Sequence, residues 1–213
     1  MPKRSARSAP PASAVRSRRA YFDCRDGQLH VRTAFPTTGG FDEQVTLLCL
    51  HPDSSSSRVF SRFLPLVAGD RSVYAPDMPG CGESDPSSAP GAGAAAAAIA
   101  DLAAGLRLRH IDVLGFQGGS AVAVDLAITL PELVRGLVLV GGAPWERLAL
   151  IKQPSLVLRI GAAAEAAQRG AAGPLPHVQC VDVPEYAEDP FETAPQSLAK
   201  RVVAYLNRLP SVR

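Results

Sequence analysis

The sequence predicts an α/β fold, with a mostly parallel central sheet flanked by helices, and two observations predict it. From about residue 44 onward, short β-branched apolar runs alternate with amphipathic or alanine-rich segments, which is typical of strands joined by crossover helices. Residues 45–50 are apolar at nearly every position. We therefore expect a central strand there, with a layer of helices against each of its faces.

A hairpin precedes this region. Its strands are predicted at residues 21–24 and 29–33, on either side of the turn residues Asp26 and Gly27. Further strands are predicted at residues 45–51, 72–75, 111–115, 136–140, 155–160 and 178–183. Helices are predicted between and after them, at residues 58–68, 94–108, 119–130 and 196–209.

The composition predicts one globular domain with a polar extension. The chain has 213 residues, of which 46% are hydrophobic and 20% charged, so it is long enough to bury a single core. We assign residues 21–213 to this domain. Residues 1–20 are rich in arginine, serine and proline and have too few large apolar side chains to offset the entropy of ordering, so we predict a disordered basic tail.

The charge pattern and the cysteines narrow the choice of partners. The tail carries six basic residues ahead of the first acidic residue, Asp23, so the domain itself is mildly acidic and nucleic acid is not expected as a partner. The four cysteines have neither zinc-site nor disulfide spacing. We therefore expect a cytoplasmic protein without a metal or cofactor. No membrane partner is expected, because no apolar run reaches roughly 18 residues.

Short motifs follow one another in a fixed order along the chain. They are His51-Pro52, the Asp-x-x-Gly-x-Gly-x-Ser pattern of residues 77–84, the turn sequence of residues 115–119, and residues 191–195 before the final helix. Together they resemble the α/β-hydrolase superfamily over nearly the whole chain after the tail. Family members commonly insert a cap between the strands predicted here at 136–140 and 155–160. Only residues 141–154 lie between these strands, so a cap is expected to be essentially absent.

The resemblance implies a nucleophile on the sharp turn after the strand at 111–115, flanked by small residues. Gln117 stands at that position, between Gly115 and Gly119. The geometry of the turn is thus expected to be preserved. A glutamine amide is not a nucleophile, so the chemistry of the turn is expected to differ.

The other two triad positions also depart from the family. The resemblance implies an acid after the strand at 155–160, where Ala162 and Ala163 stand, with Glu165 a few residues late. It implies a histidine before the last helix, where Glu188 is the residue nearest the vacant position. Removing the serine or the histidine of such a triad costs on the order of 10⁶ in turnover, so serine-triad hydrolysis is disfavoured.

Other residues near the turn are candidates for a site. His51 is either an acid or base for a non-hydrolytic reaction or a structural hydrogen-bonding residue. Candidate ligand contacts are Pro52, Phe116, Gly118 and Trp145, although core packing explains the two aromatic side chains as easily.

Three functional hypotheses remain open. The first is a pseudoenzyme that binds a small apolar or carbonyl-bearing ligand, or a partner protein, without serine hydrolase chemistry. The second is an enzyme with an atypical site, using Gln117, His51 and Glu188 for proton transfer or water addition. The third is a hydrolase of small esters whose acid and base lie elsewhere in the sequence.

Overall fold

A computed structural model describes residues 15–37, 44–89, 91–161, 175–186 and 188–212 of the chain. Eight strands form one sheet. They are β1 (Arg18–Cys24), β2 (Gly27–Ala34), β3 (Thr46–Leu50), β4 (Val73–Pro76), β5 (Ile111–Phe116), β6 (Val134–Val140), β7 (Ser155–Ile160) and β8 (Val178–Val183). The α-helices of the described residues are α1 (Leu64–Val67), α2 (Ala92–Gly105), α3 (Gly119–Thr129), α4 (Trp145–Leu148), α5 (Pro190–Thr193) and α6 (Pro195–Leu206).

The sheet has the order β1-β2-β4-β3-β5-β6-β7-β8. The hairpin strands pair antiparallel with each other, and β2 pairs antiparallel with β4. All remaining neighbours are parallel. The predicted class is therefore confirmed, and the carboxyl ends of β3 to β8 meet at one edge, where α/β folds bind their ligands.

Helices cover both faces of the sheet, as predicted from residues 45–50. Along β3, Leu47 and Cys49 join the apolar cluster under α1 and α6, whereas Leu48 and Leu50 join the cluster under α2 and α3. All four side chains are fully buried. The alternation follows from the two-residue period of a strand, and it explains why a strand covered on both sides is apolar throughout.

The structure corrects the local predictions for the tail and for the first predicted helix. The tail was predicted to be disordered to residue 20, but β1 begins at Arg18, which pairs with Thr33. Backbone pairing with β2 orders these residues although their side chains are polar. The predicted helix at 58–68 is a 3₁₀ turn (Ser57–Phe60) followed by α1, because Pro65 lacks an N–H and stands only at the start of a helix.

The linker between β6 and β7 contains only one short helix, α4. This linker therefore adds no further helix above the carboxyl edge of the sheet. Across the described residues, no helix has the length and hydropathy needed to cross a membrane.

Candidate functional site

Gln117 occupies a sharp turn between β5 and α3. Its φ of 48° lies in the left-handed region, which is costly for a residue with a side chain, and its side chain is exposed. The backbone holds this conformation from both sides, because the Gln117 N–H donates to Val140 O at 2.8 Å and its carbonyl accepts from the Ser120 N–H at 2.9 Å. The turn therefore presents an amide to the open edge of the sheet.

The glycines that flank the turn are required by close backbone contacts. A Cβ on Gly115 would lie 2.6 Å from the Cα of Ser120, and one on Gly119 would lie 2.7 Å from the carbonyl oxygen of His51. Both distances are shorter than real Cβ contacts allow. The two positions are therefore small because the first turn of α3 packs directly on β5 and on the end of β3.

The ring of His51 is fully buried at the end of β3 and is held by backbone groups on both sides. The Met78 N–H donates to Nε2 at 2.9 Å, so the proton of the neutral ring is on Nδ1, which donates to Pro52 O at 2.7 Å. Burial lowers the pKa of His51, which favours the neutral ring. This arrangement matches the structural interpretation and leaves no ring nitrogen free to exchange a proton with a ligand.

None of the three other histidines of the chain faces Gln117. His30 lies on β2, where its Nδ1 is 2.9 Å from an Asp77 carboxylate oxygen. His110 and His177 precede β5 and β8 at the opposite edge of the sheet, and His177 Nε2 is 3.2 Å from the carbonyl oxygen of Leu148.

Asp77 fixes the loop that follows β4. Its carboxylate accepts the N–H of Ser57 at 2.6 Å and the N–H of Glu83 at 2.9 Å, in addition to the His30 contact. Burial alone would raise the pKa of Asp77, but these hydrogen bonds outweigh it and hold the pKa below its ordinary value. These hydrogen bonds anchor the loop that forms one wall of the site.

A cavity of about 380 Å³ lies beside the turn, between the first turns of α2 and α3. Its polar lining comes from Asp53, Ser54 and Cys81, and much of the remaining wall is apolar. Burial raises the pKa of the Cys81 thiol, and the neighbouring carboxylates raise it further, so the thiol is protonated and a poor nucleophile near neutral pH. The apolar part of the wall includes Met78, Ala92, Ala95, Ala121 and Val122.

Asp53 is the residue that the sequence analysis missed. Its carboxylate lies against Gly118: a Cβ there would stand 2.6 Å from Oδ1 and closer still to Oδ2. Gly118 is the N-cap of α3, whose partial positive charge stabilises a carboxylate. A negative charge therefore stands beside the backbone amides that would receive an anionic oxygen in a hydrolase.

The residues predicted from the sequence have separate locations. Of the four candidate ligand contacts, only Gly118 lines the cavity. Phe116 is buried against Phe191, with ring centroids 4.9 Å apart, and Trp145 packs against the apolar cluster under α2 and α3. Pro52 supplies the carbonyl that binds the His51 ring.

Of the two other predicted triad positions, the structure describes only the one at Glu188. Glu188 is exposed in the bend before α5, and its neighbour Asp189 caps that helix by accepting from the N–H groups of Phe191 and Glu192. Ala162, Ala163 and Glu165 lie outside the described residues. Among the residues that are described, no group of three or more histidine, cysteine or acidic side chains could hold a metal ion.

The sheet order and the turn at Gln117 define the architecture of an α/β hydrolase. A family model for the alpha/beta hydrolase fold matches residues 45–203, so the chain belongs to that family.

Individual relatives agree with this assignment. An uncharacterised hydrolase of Saccharomyces cerevisiae is 31% identical over 103 residues, which cover 47% of this chain and 36% of that protein, so the match spans about a third of the relative's length. A predicted CIB-like hydrolase from Thermoplasma acidophilum has a similar structure, with a TM-score of 0.79, 17% identity and coverage of 92% of this chain and 100% of that one. A carboxylesterase from Bacillus subtilis also has a similar structure, with a TM-score of 0.75 and 18% identity. That match covers 90% of this chain and 92% of the other. At these identities the structural likeness shows the fold.

Proposed function

We propose that this chain is a pseudoenzyme on the α/β-hydrolase fold, which binds a small, mainly apolar ligand and performs no serine hydrolase chemistry. The observation that carries the proposal is the occupant of the nucleophile turn. Gln117 has the strained backbone of that position, but its amide cannot attack a carbonyl carbon. The placement of the four histidines supports the same conclusion, because no imidazole stands ready to take a proton at the turn.

The cavity between α2 and α3 is the binding site in this proposal. A pocket of about 380 Å³ is within the size range of small-molecule sites, and its largely apolar wall with few polar groups is typical of them. Among the described residues only α4 lies between β6 and β7, so this linker provides no cap over the cavity. Binding rather than water-excluding catalysis suits a site without such a cap.

Asp53 determines which ligands suit the cavity. It is the only charged side chain among the described residues of the lining, and the carboxylate repels a carbonyl oxygen or an anion placed near Gly118. The sequence alone favoured an apolar or carbonyl-bearing ligand. The position of Asp53 favours a ligand with an apolar body and an amine or hydroxyl that donates to the carboxylate.

The free cysteines support a reducing compartment for this activity. Cys24, Cys49, Cys81 and Cys180 are all unpaired. We accordingly place the protein in the cytoplasm, where thiols remain reduced.

Isothermal titration with three ligands of one shape tests the binding proposal: benzylamine, benzyl alcohol and benzoate. We expect benzylamine to bind most tightly, with a Kd of about 1 mM, and benzoate not to bind. Asp53→Asn should weaken the affinity for benzylamine about tenfold and leave the affinity for benzyl alcohol unchanged. Glu132→Gln removes an exposed carboxylate at the other edge of the sheet. This variant is the matched control, and it should change neither affinity. Equal binding of the amine by the wild type and Asp53→Asn would contradict the proposed role of the carboxylate.

A further inference from the structure

A second cavity lies at the opposite edge of the sheet from Gln117. It also has a volume of about 380 Å³, and it opens at the amino ends of β3 and β5, where Thr46 pairs with Ile111. The six residues of β5 separate it from the turn by roughly 17 Å. Its lining is basic: Arg107, Arg109, His110 and Arg135 are among its residues, and none of the described residues that line it is acidic.

Two of these arginines carry charges that the described residues do not balance. Arg107 and Arg109 are exposed, and neither guanidinium makes a hydrogen bond or an ion pair within the described part of the chain. His110 adds an imidazole between them and β5. A solvated arginine is common on a protein surface, but here two of them line one concave site.

Arg135 is a third, pre-positioned guanidinium. Its Nε donates to Asp112 Oδ1 at 2.9 Å and its Nη2 donates to Asp112 Oδ2 at 2.5 Å, in a bidentate pair. Nη2 also donates to Leu206 O at 3.2 Å. Within the described residues these contacts leave Nη1 free to bind a ligand at the cavity, on a side chain whose position is already fixed.

The backbone of Arg107 gives an independent indication of function. Arg107 follows the end of α2 with a φ of 56°, and the Leu108 N–H donates to Ala103 O while the Arg107 N–H donates to Ala104 O. This is a Schellman motif, in which glycine is the favoured residue at the left-handed position. The chain has an arginine there instead, which costs stability and places a cation at the cavity mouth.

We propose that this cavity is a binding site for a small phosphorylated anion, a diphosphate or a phosphate monoester. Guanidinium groups match phosphate oxygens in pairs, and the two unbalanced positive charges match the dianion. A concave site takes up the whole anion, which favours a soluble phosphate over a flat anionic surface. The site is separate from the cavity at Asp53, so it stands or falls independently of the ligand proposed there.

Titration calorimetry with inorganic pyrophosphate at low ionic strength tests this site in the full chain. The wild type should bind pyrophosphate, and Arg109→Ala and Arg107→Gly should each weaken binding about tenfold. Arg58→Ala removes an exposed, unpaired arginine at the other edge of the sheet and is the matched control, with an expected change of less than about twofold. In the absence of pyrophosphate, Arg107→Gly should raise the Tm by roughly 2 °C, because glycine relieves the left-handed backbone.

Several results would overturn the proposal. If pyrophosphate does not bind the wild type, the cavity is not the proposed phosphate site. An equal loss of affinity in Arg58→Ala would show attraction to overall charge rather than to this cavity. A Tm that falls in Arg107→Gly would show that Arg107 stabilises the helix end by itself, and no functional reason for it would remain.

Discussion

The Asp53 carboxylate lies against the α-carbon of Gly118, although the two residues belong to different crossover connections. The contact places a negative charge at the start of α3, beside the turn that holds Gln117. In this molecule, the place where a hydrolase of the family would stabilise an oxyanion therefore already has an anion next to it.

Neighbouring glycines at the start of α3 should respond differently to alanine. Gly118 has ordinary helical angles (φ −56°, ψ −31°), and the three atoms nearest to its Cβ would all belong to the flexible Asp53 side chain. Gly118→Ala should change the free energy of unfolding by less than about 1 kcal/mol while displacing the carboxylate and weakening benzylamine. Gly119→Ala would press on the backbone of Leu50 and His51 and should cost about 3 kcal/mol. Urea denaturation measures the free energy of unfolding of both variants. Equal losses in Gly118→Ala and Gly119→Ala would contradict the packing at the start of α3.

His51 should behave as a structural residue with a pH-dependent contribution. Losing its buried hydrogen bonds to Met78 and Pro52 in His51→Gln should lower the free energy of unfolding by about 2 to 4 kcal/mol. Because burial lowers the pKa of His51 from 6.5 in the fold, its contribution is complete above pH 6.5 and is lost as the pH falls below that value.

Denaturation curves at several pH values separate this effect from others. The wild type should lose stability as the pH falls below about 6.5, and His51→Gln should lose less over the same range. A variant with the same slope as the wild type would show that His51 is not the titrating group.

Asp77 should determine the acid limit of the fold. In Asp77→Asn the side-chain NH₂ faces a donor from Ser57, Glu83 or His30 in place of an accepting oxygen. Because two donors cannot form a hydrogen bond, we expect the free energy of unfolding to fall by about 2 to 3 kcal/mol. The pKa of Asp77 is held below its ordinary 3.8, so its contribution is complete above pH 3.8 and is lost as the pH falls below it. Acid unfolding followed by circular dichroism should therefore be less steep below that pH in the variant, and an unchanged acid transition would contradict this role.

Phe116 should be a core residue rather than a ligand contact. It is buried against Phe191, which also packs on Phe60 and Phe63. Phe116→Ala should lower the free energy of unfolding by about 3 to 5 kcal/mol and leave the benzylamine affinity of the folded protein unchanged. Val122→Ala alters the cavity wall and should change the benzylamine affinity. If Phe116→Ala changes this affinity and Val122→Ala does not, the ligand binds on the Phe116 side of the turn.

The sequence predicted the elements whose signals are local. The bounds of β7 and β8 coincide with the predicted ranges, because each is a short run of β-branched and apolar residues. The hairpin turn was predicted at Asp26 and Gly27, but Cys24 pairs with Gly27, so the turn residues are Arg25 and Asp26. The helix broken by Pro65 could also have been anticipated, since proline ends a helix or opens one.

The contacts that define the two cavities could not be predicted in this way. Asp53 meets Gly118 only because β3 and β5 are neighbours in the sheet, which places their following loops side by side. The basic cavity likewise needs the ends of α2 and α6 beside the starts of β3 and β5. Local patterns identify strands and turns, whereas these sites depend on which strands are neighbours.

Ester turnover tests the central claim most directly. Short-chain p-nitrophenyl esters, assayed with the wild type and Gln117→Ala, should show the same slow release from both proteins, and a fluorophosphonate should label no serine. Turnover above about 0.1 s⁻¹, a hundredth of a typical ~10 s⁻¹ enzyme, that is lost in Gln117→Ala would contradict the claim. Labelling of any serine together with loss of such turnover would contradict it as well.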